Sequence, residues 1–271
     1  MELPVEVISV NFKTKEFTEK CLTSFRGFYP EVRMIIIDNG SNDSSSEYLS
    51  SIKSEHTLII TNSENIGHGP ALHQGFKISN SPYIFTLDSD CIVKHGGFLE
   101  IMLEEFKIEP NLYAIGWMRW VDIYSGVPVN PPKGYKAERI EISPDEIIPP
   151  ARISKWKNRD GKHKIIGGET TERRILSRSS GGKNFTEYIH PSAAMWDRER
   201  YFTLPTFSHE GAPCRPNMCA IGGTNFLLKD FKIEDYINHN IAGTRRFYGG
   251  RWNPQTKEIP NPAWKDIRHP I

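Results

Sequence analysis

The chain has few features that would mark it early as a particular class. Its four cysteines, Cys21, Cys91, Cys214 and Cys219, are scattered and form no C-x-x-C pair. That excludes a zinc ribbon or a small disulfide scaffold and fits free thiols in a reducing compartment. Long apolar runs are absent too: stretches such as Met34 to Ile37 fall far short of the roughly 18 residues needed to cross a bilayer. The opening "MELPVEVISVNF" has no basic segment and enters a strand pattern at once, so it does not read as a signal peptide and a cytoplasmic location is expected. Charge of one sign is lacking, since 34 Lys and Arg against 33 Asp and Glu leave a formal net charge of +1. The molecule as a whole therefore announces no nucleic-acid or membrane partner.

What is present is an ordinary globular composition, 38% hydrophobic and 25% charged, in 271 residues. The first third alternates two periodicities. "VEVISVNF" (5–12) reads as a strand, and Phe17, Cys21, Phe25 and Phe28 then recur at helical spacing. "VRMIIID" (32–38) is a second strand, followed by a polar turn and a short helix near Glu47 to Lys53. "HTLIIT" (56–61) is a third, after which Pro70 suits the first turn of a helix reaching Ile78. "YIFTLD" is a fourth, a helix follows near Phe98 to Phe106, and "LYAIGWMRW" (112–120) is a fifth strand. Repeated strand, helix and strand with apolar strands predicts an α/β fold, its mainly parallel sheet covered by helices on both faces.

Ligands of such sheets bind beyond the carboxyl ends of the strands. Three polar strand ends stand there: Asp38, then Asn65-Ile66-Gly67, then Asp88-Ser89-Asp90. Each alone is an ordinary turn, but parallel strands would line them along one crevice. In the last, side chains two apart on an extended chain point the same way, so Asp88 and Asp90 would converge. Two like charges so close call for a cation, and Mg²⁺ or Mn²⁺ takes one or two protein carboxylates and fills its other positions with water and substrate phosphates.

From about 125 to 185 the texture turns irregular and rich in Pro, Gly, Lys and Arg. Lys133 to Lys183 holds 13 Lys and Arg against 7 Asp and Glu, a local surplus of six positive charges. This is a lid, an arm for a polyanionic acceptor, or a solvated insertion. Order returns at "YIHPSAAMWDRERYFTL" (188–204), where a charged helix-like turn is expected after Trp196. "CAIGGTNFLLKDF" (219–231) and "KIEDYINHN" (232–240) read as strands, the latter delivering His239, either a structural histidine or one more ligand for a carboxylate site.

The order of "IIDNGSNDSS" (36–45), "NSENIGHGPALHQGF" (62–76) and "YIFTLDSD" (83–90) resembles the nucleotide-sugar-binding half of inverting glycosyltransferase family 2, with its GT-A fold. The likeness is good over 3–120, loose over 188–245 and absent over 125–185. It implies one domain with a donor half (1–124), a basic insertion (125–185) and an acceptor half (186–271). It further implies that Asn11, Phe12 and Asp38 hold the nucleoside and that Asn65 and Gly67 close the pocket. Asp88, Ser89 and Asp90 would meet the ribose and the metal, with His239 approaching the metal or the diphosphate. Arg245, with Arg246 and Arg251, would fold over the diphosphate.

Two positions depart from the family pattern. His73 stands where the family often has Asn, and the family's Glu-Asp pair, which supplies the general base, is missing from "LPTFSHEGAPCRPNM". Between Glu199 and Asp230 the one carboxylate is Glu210, which makes it the first candidate base, with Asp197 second and His209 third. The expectation is a transferase moving a sugar, first of all from a UDP-sugar, to an acceptor hydroxyl with inversion, using Mn²⁺ or Mg²⁺. A sugar-phosphate nucleotidyltransferase would want a glycine-rich loop after the first strand, and "SVNFKTKEF" has no glycine. A non-catalytic nucleotide-sugar-binding or scaffolding protein is the other alternative, because the acid pair is missing. The acceptor is open among saccharide, lipid-linked and nucleic-acid hydroxyls.

Overall fold

The computed structural model describes residues 3–122, 184–204, 206–207 and 226–239, with short strands at 128–129, 138–141, 156–157, 163–164 and 175–178. In chain order the first elements are β1 (Val5–Asn11), α1 (Lys15–Arg26), β2 (Met34–Asp38), α2 (Ser44–Ser51), β3 (Thr57–Thr61) and α3 (His68–Ile78). They continue with β4 (Tyr83–Leu87), β5 (Ile92–Val93), α4 (Phe98–Ile108) and β6 (Leu112–Asp122). Five two- to four-residue strands follow: β7 (Pro128–Val129), β8 (Glu138–Glu141), β9 (Trp156–Lys157), β10 (His163–Lys164) and β11 (Ile175–Arg178). Then come β12 (Asn184–Asp197), α5 (Arg198–Tyr201), β13 (Leu227–Asp230) and β14 (Ile237–Asn238).

The central sheet runs β13-β6-β12-β4-β1-β2-β3. The four strands β4, β1, β2 and β3 are parallel, while β12 is antiparallel to both β4 and β6. The apolar alternation of the strands splits the core into two layers. Val5, Val7, Met34, Ile36, Phe85 and Leu87 pack one way against Cys21, Leu22 and Phe25 of α1 and Phe98 and Met102 of α4. Ile8, Val10, Ile35, Ile37 and Ile84 pack the other way, against Ala71, Leu72 and Phe76 of α3 and Tyr201 of α5. This two-sided covering is the arrangement the continuous apolar strands imply.

Register places the polar ends side by side: Asn11 pairs with Asp38, and Asp38 with Thr61.

Several expectations need correction. Helix α1 stops at Arg26, so Phe28 lies beyond it and is 45% exposed rather than on its buried face. By contrast, the charged helical turn expected after Trp196 is present as Arg198–Tyr201, following a strand that runs to Asp197. Residues 232–239 hold a 3-10 turn at Ile233–Asp235 followed by the two residues of β14, not one long strand. Of the segment 125–185, the described parts are β7 to β11, with β7, β8 and β11 joining the central sheet, and the remainder lies outside the described residues.

Candidate active site

At the end of β1, Asn11 is fully buried and binds on both sides of its amide. Its Nδ2 donates to Asp38 Oδ1 (3.1 Å) and to Ser41 Oγ (2.9 Å), and its Oδ1 accepts from Thr18 (2.7 Å) and Thr14 (3.1 Å). Asp38 also accepts from Ser41 at Oδ1 and from Ser46 at Oδ2 (2.7 Å). Both residues are 0% exposed, while the next residue along, Phe12, is half-buried. A buried carboxylate needs such donors, and here two serines and an amide supply them.

The next residue, Asn39, ties the second strand end to the third. Its Nδ2 donates to Asn65 Oδ1 (2.9 Å) and to the Gly67 carbonyl (3.3 Å), while its Oδ1 accepts from Ile66 N (3.2 Å) and Asn62 Nδ2 (3.1 Å). Asn65 Oδ1 takes Gly67 N–H as well (2.8 Å). Gly67 precedes α3 with φ 96°, a left-handed value that favours glycine. Gly40 has φ +75°, and a Cβ there would lie 2.4 Å from the Glu64 carbonyl carbon. The loop carrying Asn65 can lie this close only because residue 40 has no side chain.

Asp88, Ser89 and Asp90 follow β4 in a tight turn closed by Cys91 N–H on the Asp88 carbonyl (3.1 Å). The pair is thus presented by a turn, not by the extended strand that its spacing suggested. Asp90 is 5% exposed, whereas Asp88 and Ser89 are half-buried. Ser89 Oγ is 3.2 Å from Thr14 Oγ1, linking this turn to the end of β1. Asp88 Oδ1 stands 3.4 Å from Nε2 of His68, the first residue of α3. Beneath the turn the buried Cys21 thiol, its pKa pushed up to about 12 by desolvation, stays neutral and donates to the Asp88 carbonyl (3.4 Å).

Strand β12 completes this end of the sheet. Ser192 accepts Asp88 N–H at its carbonyl (2.8 Å), and its Oγ lies 2.9 Å from His239 Nδ1 and 2.8 Å from His190 Nδ1. Strand β14 pairs Asn238 with Ile92, which sets His239 alongside Cys91, next to Asp90.

The structure therefore brings Asn11, Phe12, Asp38, Asn65, Gly67, Asp88, Ser89, Asp90 and His239 to one end of the sheet. Asp197 goes elsewhere. It pairs with Tyr83 at the start of β4, the opposite end from Asp88, and caps α5 by accepting Arg200 N–H (2.9 Å). That placement removes it as a candidate base. Glu210, His209, Arg245, Arg246 and Arg251 lie outside the described residues. The sequence reading passed over Asn39, Ser41, Ser46, His68, His190 and Ser192. Asn39 and Ser41 sit inside "IIDNGSNDSS", Ser46 directly follows it and His68 stands inside "NSENIGHGPALHQGF", so these four were open to inspection, but nothing along the chain links His190 and Ser192 to the site.

Comparison with known proteins bears on the family and the fold. The sequence profile of Glycosyl transferase family 2 matches residues 6–167. Poly-beta-1,6-N-acetyl-D-glucosamine synthase of Staphylococcus epidermidis is 34% identical over 88 residues, 32% of this chain and 21% of the relative. The enzyme of that name from Staphylococcus aureus is 36% identical over a stretch of the same length and coverage. The matched stretch thus spans about a fifth of these curated relatives. Among solved structures, S. aureus TarS 1–349 in complex with UDP-GlcNAc superposes with a TM-score of 0.51 at 11% identity, covering 88% of this chain and 58% of TarS 1–349. The likeness supports a common fold.

Proposed function

The chain belongs to glycosyl transferase family 2, and from that premise we propose that it transfers a sugar from a nucleotide-sugar, a UDP-sugar first, to an acceptor hydroxyl with inversion at the anomeric carbon. The observation that supports this most is the joining of three strand ends into one hydrogen-bonded crevice. There Asn11 is bonded to Asp38, Asn39 to the 62–67 loop, and Thr14 beyond β1 to the turn at Asp88 to Asp90. Phe12 offers an apolar face for the base, and the polar groups of Asn65 and Ser89 suit the ribose.

The donor set fits a hard divalent cation, Mn²⁺ or Mg²⁺. Among the described residues no three His, Cys, Asp or Glu stand together as a ready cage. Neither ion needs one, because water and phosphate oxygens supply most of their ligands. Asp90 and Asp88 would hold the ion, with His239 beside them. Bound there, it would offset the charge developing on the leaving diphosphate. Glu210 is the proposed base for the acceptor proton, and Arg245 the proposed cover over the diphosphate. The acceptor half and the basic segment 125–185 would choose the acceptor. The relatives named for an N-acetylglucosamine polymer make UDP-N-acetylglucosamine the first donor to assay.

Calorimetric titration of UDP tests the reading. Binding should require Mn²⁺, vanish in EDTA and vanish in Asp90→Ala. Silence toward UDP, GDP, CDP and dTDP alike would remove it.

A further inference from the structure

Strand β12 carries an irregularity that the donor-site reading does not use. Its register on β6 shifts between Ile189, opposite Met118, and Ala194, opposite Gly116, so His190 to Ala193 form a bulge across from Trp117 on that side, while Ala193 stays paired with Leu87 of β4. Bulges re-aim side chains near functional sites, and Pro191, which has no N–H for a ladder, is tolerated in one. The bulge gathers two imidazoles and a hydroxyl. The ring centroids of His239 and His190 lie 5.3 and 6.0 Å from that of Trp117, and Ser192, 4% exposed, sits between their Nδ1 atoms.

The hydrogen bonds fix where the protons are. Ser192 backbone N–H, which can only donate, points at His190 Nδ1 (3.3 Å), so that nitrogen carries a lone pair and His190 holds its proton on Nε2. Ser192 Oγ is 2.8 Å from the same nitrogen. Two lone pairs at that distance repel, so the hydroxyl donates to His190. Having spent its one proton there, Oγ must accept from its other neighbour, His239 Nδ1, at 2.9 Å. His239 therefore carries a proton on Nδ1, and in its neutral form the lone pair lies on Nε2. The reverse chain would aim the Ser192 N–H at another N–H.

We propose that His190 and Ser192 are positioning residues that lock His239 as the Nδ1–H tautomer and so present its Nε2 as an acceptor, the form a metal or proton ligand requires. A ligating histidine commonly has its second nitrogen fixed in this way, and losing the partner costs about 10- to 100-fold in metal affinity. The consequence for metal binding rests on the donor-site reading above, but the tautomer does not.

Long-range ¹H–¹⁵N spectra of the metal-free, ¹⁵N-labelled full chain decide the matter, with His239→Gln and His190→Gln assigning the two rings. The expected result is His239 protonated at Nδ1 and His190 at Nε2, with Ser192→Ala shifting His239 toward Nε2–H and Ser192→Thr restoring the first pattern. His239 protonated at Nε2 in the wild-type chain overturns the proposal, whatever the variants do. Adding Mg²⁺ with UDP should move the His239 Nε2 resonance, and Ser192→Ala should weaken Mn²⁺-dependent UDP binding about 10-fold. The expected tautomer with no response to Mg²⁺ and UDP would uphold the lock and remove His239 from the metal site, separating the two ideas.

Discussion

Gly40 is among the least replaceable residues at the site. Its φ of +75° lies where an L side chain is strained, and the added Cβ would meet backbone of Glu64 and Asn65 within 2.7 Å, with no flexible side chain to yield. Gly40→Ala must therefore push away the loop that Asn39 holds through Asn65, Ile66 and Gly67. A loss of about 1 to 3 kcal/mol in stability is expected from strain of this kind, seen as a lower urea midpoint at unchanged slope. UDP affinity should fall with it, since the displaced loop belongs to the proposed crevice. A stable variant with unimpaired binding would mean that the loop takes no part in holding the nucleotide.

At the scale of elements, α3 ties the end of the donor-site loop to β1 and to α5. Gly75 faces β1 so closely that a Cβ would come within 2.7 Å of Ile8 Cγ2. Gly75→Ala should cost about 1 to 3 kcal/mol through overpacking, readable by chemical denaturation. Two residues earlier, His73 Nδ1 is 2.8 Å from Tyr201 Oη, joining α3 to α5. Burial first, and Lys77 second, lower the His73 pKa from its ordinary value. Its unfolded form therefore takes up a proton at higher pH than its folded form. The stability from this residue is complete above about pH 6.5, the usual histidine value, and is lost as pH falls through the lowered folded value. His73→Gln should flatten that acid limb in urea midpoints measured from pH 7.5 to 5.5, and an unaltered limb would assign the loss to other groups. Such details mark what the sequence can disclose. Strands β1 to β4 and their polar ends were readable because apolar runs broken by Asp, Asn and Gly have one natural interpretation in a parallel sheet. Strand β12 was not, because a proline within "YIHPSAAMW" argues against a central strand unless a bulge absorbs it. Partnerships such as His68 with Asp88, or His190 with Ser192 and His239, join residues whose local patterns carry no trace of one another.

For the whole molecule, the question is what the carboxylates cost when the site stands empty. The core is closed on both faces of the sheet, and Asp90, 5% exposed, stands two residues from Asp88. Like charges held close disfavour the folded state until a cation separates them, and sites built for ligands often give up stability for function. Ligand binding returns it: saturation at 100 times Kd adds about 2.7 kcal/mol. Asp90→Asn keeps the shape of the turn and removes one charge. Without ligands this variant should melt at or above the wild-type temperature, whereas the rise that UDP with Mn²⁺ gives the wild type, abolished by EDTA, should be missing. Melting well below wild type with the ligand-induced rise intact would show instead that Asp90 supports the turn and that the cation is held by other groups.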